Sequence, residues 1–165
     1  MKVEQFTASN KPTLGQADVI EPTSSLLQDS YDMAQPVQVA AIGLLKHLTL
    51  SSLTNCLAFL NNPKALERLL GIISRSDEVR LKSEGSRILV NLIHMLWSQS
   101  ASEAEKQKLS QNSEVFVALS EMIRSSAKYP ILVNQGVIAL AILATSSAEA
   151  GMQTSSITYM SNLPF

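Results

Sequence analysis

One helical block recurs three times along this chain. Its clearest copies are Glu84-Gly85-Ser86-Arg87-Ile88-Leu89-Val90-Asn91-Leu92-Ile93 and Gln135-Gly136-Val137-Ile138-Ala139-Leu140-Ala141-Ile142-Leu143-Ala144. A weaker copy is Ala40-Ala41-Ile42-Gly43-Leu44-Leu45-Lys46-His47-Leu48-Thr49. Each starts on tiny residues and runs into Leu-x-x-Leu. Ala41, Gly85 and Gly136 hold equivalent places, 44 and 51 residues apart. A period of this length restricts the fold. Each unit cannot bury its apolar face alone, so neighbours must stack into one continuous core. Stacked-helix arrays are usually binding surfaces, so the repeat points away from catalysis.

Composition fits such an array. Hydrophobic residues make up 45% of the 165 residues, aromatics only 5% and charged residues 16%, the profile of a packed Leu/Ile/Ala/Val helical protein of one domain. The net charge of −1 and the lack of a basic stripe argue against general nucleic-acid affinity. Cys56 is the single cysteine, so no intrachain disulfide forms and a reducing compartment fits best. No apolar run reaches the length of a membrane span, and Met1 to Asn10 lacks a signal-peptide core. A cytoplasmic location is the default expectation, with nuclear access left open.

The spacing predicts three regions: a disordered tail over 1–35, helical repeats over 36–146, and a weak C-terminal tail or incomplete repeat over 147–165. Ser24 to Asp29 has the pattern of a short helix, but one too short to stand alone. Helices are expected from Val37 to about Leu50, from Leu53 to Leu60, and from Lys64 to Ser74 with Pro63 in its first turn. A long helix follows from Glu78 to about Trp97. Ser102 with Glu105 forms a capping box opening a polar helix through Lys108 or Leu109. Ser113 is expected to cap Glu114 to Arg124, and a last helix runs from Ile131 to about Ala144.

The order is a long helix, then short–medium–long twice. That order resembles the armadillo repeat, with Pro63 to Ile73 matching its second helix and Gly85 to Ile93 its third. Asn91 stands on the Asn of the family's Leu-x-Asn-Leu signature. The resemblance spans about residues 36–146 and implies an all-α, armadillo-type α-solenoid fragment of two to three repeats. A narrower likeness also exists. Lys82 to Ile93 and Val133 to Ala144 are similar to successive late repeats of the small G-protein dissociation stimulator (smgGDS) family and its fungal relatives. That likeness implies a partner, a small GTPase of the Rho or Rap type. It implies that nucleotide release or chaperoning follows from binding alone.

Several side chains have two readings. Gly43, Gly85 and Gly136 lie inside helices, where glycine costs about 1 kcal/mol against alanine; they serve either close helix packing or close approach of a partner. In armadillo proteins the Asn matching Asn91 can hold the backbone of an extended peptide; the other reading bonds it to an adjacent repeat. Arg87, Asn91 and His94 share one helical face. Importin-type grooves tend to carry Trp one turn before this Asn. Here Arg87 stands there, with Gly43 and Ile138 in the copies, and the Asn itself becomes His47 and Ile142. A groove with Lys46, His47, Arg87 and His94 suits acidic residues better than basic peptides, or is simply a solvated face. Trp97 is either a partner anchor or the edge of the core, and Cys56 reads as a buried inert thiol.

The candidate partner-binding residues are therefore Lys46, Arg87, Asn91, His94 and Asn134. His47 and His94 lack metal-like spacing and Cys or His partners. No phosphate-cradling Gly-rich loop and no Gly-x-Ser-x-Gly elbow occurs, so neither an enzyme nor a cofactor is expected. The alternatives to GTPase binding are a generic armadillo adaptor for extended peptides and a structural piece of a larger solenoid. Apolar exits at both ends of the array point to self-association.

Overall fold

The computed structural model describes Asn10, residues 18–99 and residues 101–161, with side-chain surroundings through Ser146. Among these residues the regular structure is all helical, with no strand. The elements are α1 (Ile20–Ser25), a 3-10 turn (Asp29–Ala34), α2 (Gln35–Thr49), α3 (Leu53–Asn61), α4 (Ala65–Arg75), α5 (Val79–Ser98), α6 (Glu103–Ser110), α7 (Ser113–Ser125) and α8 (Pro130–Ser161). Two consecutive short–medium–long triplets, α3–α5 and α6–α8, follow α2. Among the described residues no helix is long and apolar enough to cross a membrane.

Local chemistry sets the helix starts. Ser52 accepts the Asn55 N–H at 3.4 Å to open α3. Before α4, Asn62 Oδ1 accepts the N–H groups of Lys64 and Ala65, both at 3.1 Å. Pro63 therefore stays in the turn and α4 begins at Ala65, not in the Pro63 turn as the sequence suggested. The Glu78 carboxylate accepts the Arg80 N–H at 3.2 Å, placing negative charge at the positive end of α5. Ser102 and Glu105 form the expected capping box. At α7 the cap is Asn112, whose Oδ1 accepts the Glu114 N–H at 3.0 Å. Ser113, expected to cap, is instead the first helical residue.

The medium and long helices of each triplet meet where the long one lacks a side chain. A β-carbon on Gly85 would stand 2.8 Å from Ile73 Cγ1, and one on Gly136 would stand 2.7 Å from Ile123 Cγ1. The same glycine–isoleucine contact thus recurs at 51- and 50-residue offsets, so the sequence repeat is a repeat of packing. Gly43 differs: nothing lies within 4 Å of the β-carbon it would carry. Around the two contacts runs one core, in which Leu45, Phe59, Leu69, Leu89, Leu92, Ile93, Leu119 and Leu143 are fully buried. Each such side chain stabilises the fold by about 1.5–3 kcal/mol. Cys56 is among them: burial pushes its thiol up to about 12, and the thiol donates to the Thr49 carbonyl at 3.3 Å.

Residues 18–35, expected to belong to a disordered tail, fold back onto the first triplet. Ile20 and Leu27 are buried in the core. Arg68 on α4 reaches both Glu21 oxygens at 3.2 Å and Ser24 Oγ at 3.1 Å. Arg75 grips Asp32 through Nε at 2.9 Å and Nη2 at 3.0 Å and also donates to the Leu27 carbonyl. Buried Gln38 donates to the Gln28 carbonyl at 3.2 Å and to Asp32 at 3.0 Å. The front of the first triplet is thus covered, which corrects the expectation of an apolar exit there. Residues 1–9 and 11–17 of that tail lie outside the described residues. At the other end, α8 continues to Ser161 where a weak tail was expected; residues 162–165 lie outside the described residues.

Hydrogen bonds from Asn62 and, beyond an opposing burial effect, Arg68 hold the Glu21 carboxyl below its usual range. Hydrogen bonds from Arg75 and Gln38 do the same for Asp32. Carboxyls lowered by folding add stability that is present above their unfolded pKa and lost as pH falls through the folded value. The strap of residues 18–35 should therefore detach first as pH drops below about 4. Amide hydrogen exchange should rise there before it rises in α5, and Asp32→Asn should flatten that acid response. For the glycines, Gly43→Ala should raise stability by up to about 1 kcal/mol. Gly85→Ala and Gly136→Ala should each lower it by roughly 1–3 kcal/mol through overpacking. Urea denaturation of the three variants checks both signs.

Candidate functional site

The five candidate residues lie on the long helices α2, α5 and α8. Lys46 belongs to the last turn of α2, and Arg87, Asn91 and His94 follow one another along α5. The structure joins Lys46 and Arg87 through Glu84, and Asn91 to Lys46 directly. The Lys46 ammonium pairs with the Glu84 carboxylate, and Arg87 Nη1 donates to its other oxygen at 3.2 Å. Asn91 Nδ2 donates to the Lys46 carbonyl at 3.1 Å and to Thr49 Oγ1 at 3.3 Å. Lys46 keeps only 16% of its side chain exposed. Asn91 therefore serves α2, adding a bond from α5 to a carbonyl in the last turn of α2 that also accepts the Leu50 N–H at 3.1 Å. Of its two readings, this is the bond to an adjacent helix.

Glu84 is the centre of this cluster, and sequence reasoning missed it. Burial disfavours its charge, but the hydrogen bond from Lys46 and the charges of Lys46 and Arg87 outweigh that and hold its carboxyl below the usual range. The signal was available: Glu84 precedes Gly85 within the repeat block and stands three residues from Arg87, a spacing that places both on one side of a helix. What the sequence hid was that Lys46, 38 residues earlier, comes to the same carboxylate.

Outside this tie, cations line up. Arg80, Arg87 and His94 recur every seven residues, two helical turns apart, and form one stripe on α5. Arg80 and His94 are exposed and Arg87 is half-exposed. Gly43, Lys46 and His47 of α2 face Arg80 and Glu84 across a cleft of about 120 Å³. One carboxylate is thus surrounded by Lys46, Arg80 and Arg87, with His47 on the cleft wall. The open space at Gly43 keeps the α2 side of this cleft shallow. Asn134 is exposed on α8, and no hydrogen bond or ion pair joins it to the other four among the described residues. Its own stripe, with Ile138, Ala141 and Thr145, carries no charge. The face is therefore basic across α2 and α5 and uncharged across α8.

Trp97 takes the core-edge place. It packs half-buried against the core, its indole Nε1 donates to Ser146 Oγ on α8, and the Lys106 ammonium lies 6.0 Å from the ring centre. Among the described residues no three His, Cys, Asp or Glu side chains gather as a metal site would require. Compared with known proteins, the chain matches no family model, no curated protein and no solved structure.

These contacts separate binding from stability. Asn91→Ala should lower stability by roughly 1–3 kcal/mol, because it removes the two hydrogen bonds that its amide makes from α5 to α2. Arg87→Gln should change it by less than about 1 kcal/mol, since a half-exposed ion pair is worth little. Chemical denaturation of both variants checks the difference; equal losses would contradict the division.

Proposed function

We propose that this chain is an armadillo-type α-solenoid segment that works as a protein-binding module, and that its partner is a folded small GTPase of the Rho or Rap type. The observation that carries the reading is the α2–α5 surface. Three cations and a histidine surround a single carboxylate, beside a cleft that Gly43 leaves open. Such a surface favours a partner with exposed carboxylates, by steering and by complementarity. The uncharged stripe of α8 beside it suits an apolar edge of the same partner.

The resemblance of Lys82 to Ile93 and Val133 to Ala144 to the dissociation-stimulator family supplies the partner class. The action needs no catalytic side chain. A surface that binds the nucleotide-free GTPase more tightly than the loaded form shifts the population toward release. The extended-peptide reading is weaker on this structure's own terms. Asn91 is the side chain that would hold a peptide backbone, and its amide nitrogen is engaged by α2. Lys46 likewise acts here as a tie, so Arg80, Arg87, His94 and Asn134 are the contact residues of this proposal.

The test is retention of purified Rho- and Rap-type GTPases on the immobilised chain, after EDTA strips their nucleotide and again after excess GTP. Retention in EDTA and release by GTP is the expected result. Arg80→Glu with His94→Glu should weaken it by about tenfold with no loss of helical signal. Binding indifferent to nucleotide, or to both substitutions, would sink the reading.

A further inference from the structure

The face that α7 and α8 turn outward is built like one the fold covers elsewhere. The offsets that carry Ile73 onto Ile123 and Gly85 onto Gly136 also carry Ser86 onto Val137 and Leu89 onto Leu140. On α5, where α7 and α8 stack, Ser86 is 1% exposed and Leu89 fully buried. On α8 the counterpart Val137 is 49% exposed, and Val117 on α7 is 65% exposed. Phe116, Val117, Ser120, Ile123, Arg124 and Leu140 line an open groove of about 490 Å³ there. This face continues, one repeat further on, the internal interface between the two triplets.

What covers it is limited by what a partner has to offer. Within each copy the front of α3–α5 is taken by α1, the 3-10 turn and α2, with Arg68 and Arg75 holding them, and the front of α6–α8 is taken by α5. Among the described residues, the matching apolar face left on a second copy is this same α7–α8 face. At its rim Arg124 pairs with Glu121 at 2.7 Å, so the charges beside the groove offset one another. Self-complementary contact of one patch with itself generates a two-fold axis and closes at two copies.

We propose that the α7–α8 face is a self-association surface on which a second copy of this chain docks face to face about a two-fold axis. The proposal stands apart from GTPase binding, which uses the α2–α5 surface and the Asn134–Ile138 stripe of α8, not the side of α8 that carries Val137 and Leu140. Sedimentation equilibrium of the full chain should show a monomer–dimer equilibrium at micromolar concentration. The V117E/V137E pair should raise the dimer dissociation constant by roughly tenfold or more. The V137C variant keeps an apolar face and should crosslink to itself on oxidation, with Cys56 buried and out of reach. A monomer at every concentration, a ladder of higher oligomers, a dimer indifferent to V117E/V137E, or a dimeric V137C that stays uncrosslinked would each overturn the proposal.

Discussion

Two helices approach this closely only where one of them has no β-carbon, and this fold uses that device twice. Ile73 packs onto the bare backbone at Gly85, and Ile123 onto the bare backbone at Gly136. The contact fixes the rotation of each long helix about its axis, and every other surface follows. With Gly85 turned to α4, Glu84 and Asn91 fall toward α2 and Arg80, Arg87 and His94 fall outward. With Gly136 turned to α7, Val137 and Leu140 fall on the far side and Asn134 and Ile138 fall beside the basic stripe. Glycine's helix penalty of about 1 kcal/mol is the cost of that approach, offset by the buried leucines and isoleucines around it.

The charged residues divide accordingly into ties and surface. Lys46 and Asn91 look alike in sequence to Arg87 and His94: polar residues at helical spacing in the repeat blocks. In three dimensions Lys46 and Asn91 close the seam between α2 and α5 through Glu84 and the Lys46 carbonyl, while Arg80 and His94 are exposed to a partner and Arg87, paired with Glu84, stays half-exposed beside them. Withdrawal of Lys46 into an ion pair lowers the net positive character of the face. Arg80, which no repeat pattern singled out, restores part of it.

Much of this was legible from the chain, for identifiable reasons. Helix order and most boundaries follow from Leu-x-x-Leu spacing and from Ser102–Glu105, because these are local signals. The glycines at 85 and 136 were legible as packing positions; Gly43 was not, since nothing in the sequence says that α4-like packing is missing beside α2. The strap over residues 18–35 was missed because its stability is non-local. Six-residue helices have little of their own, and Arg68, Arg75 and Gln38 that hold them lie elsewhere in the chain. The cap at Asn112 was assigned one residue too late for a simpler reason: Ser113 is a good cap residue, and the asparagine before it is equally good and takes the Glu114 N–H here.

The glycine–isoleucine contact is tested most directly by a double-mutant cycle between Gly85→Ala and Ile73→Ala, read as unfolding free energy. If the contact sets the packing, Gly85→Ala destabilises the native chain but stabilises the Ile73→Ala background, by about 1 kcal/mol, because the clash is gone and only the helix preference remains. An alanine at 85 that costs the same with or without the isoleucine would contradict the account.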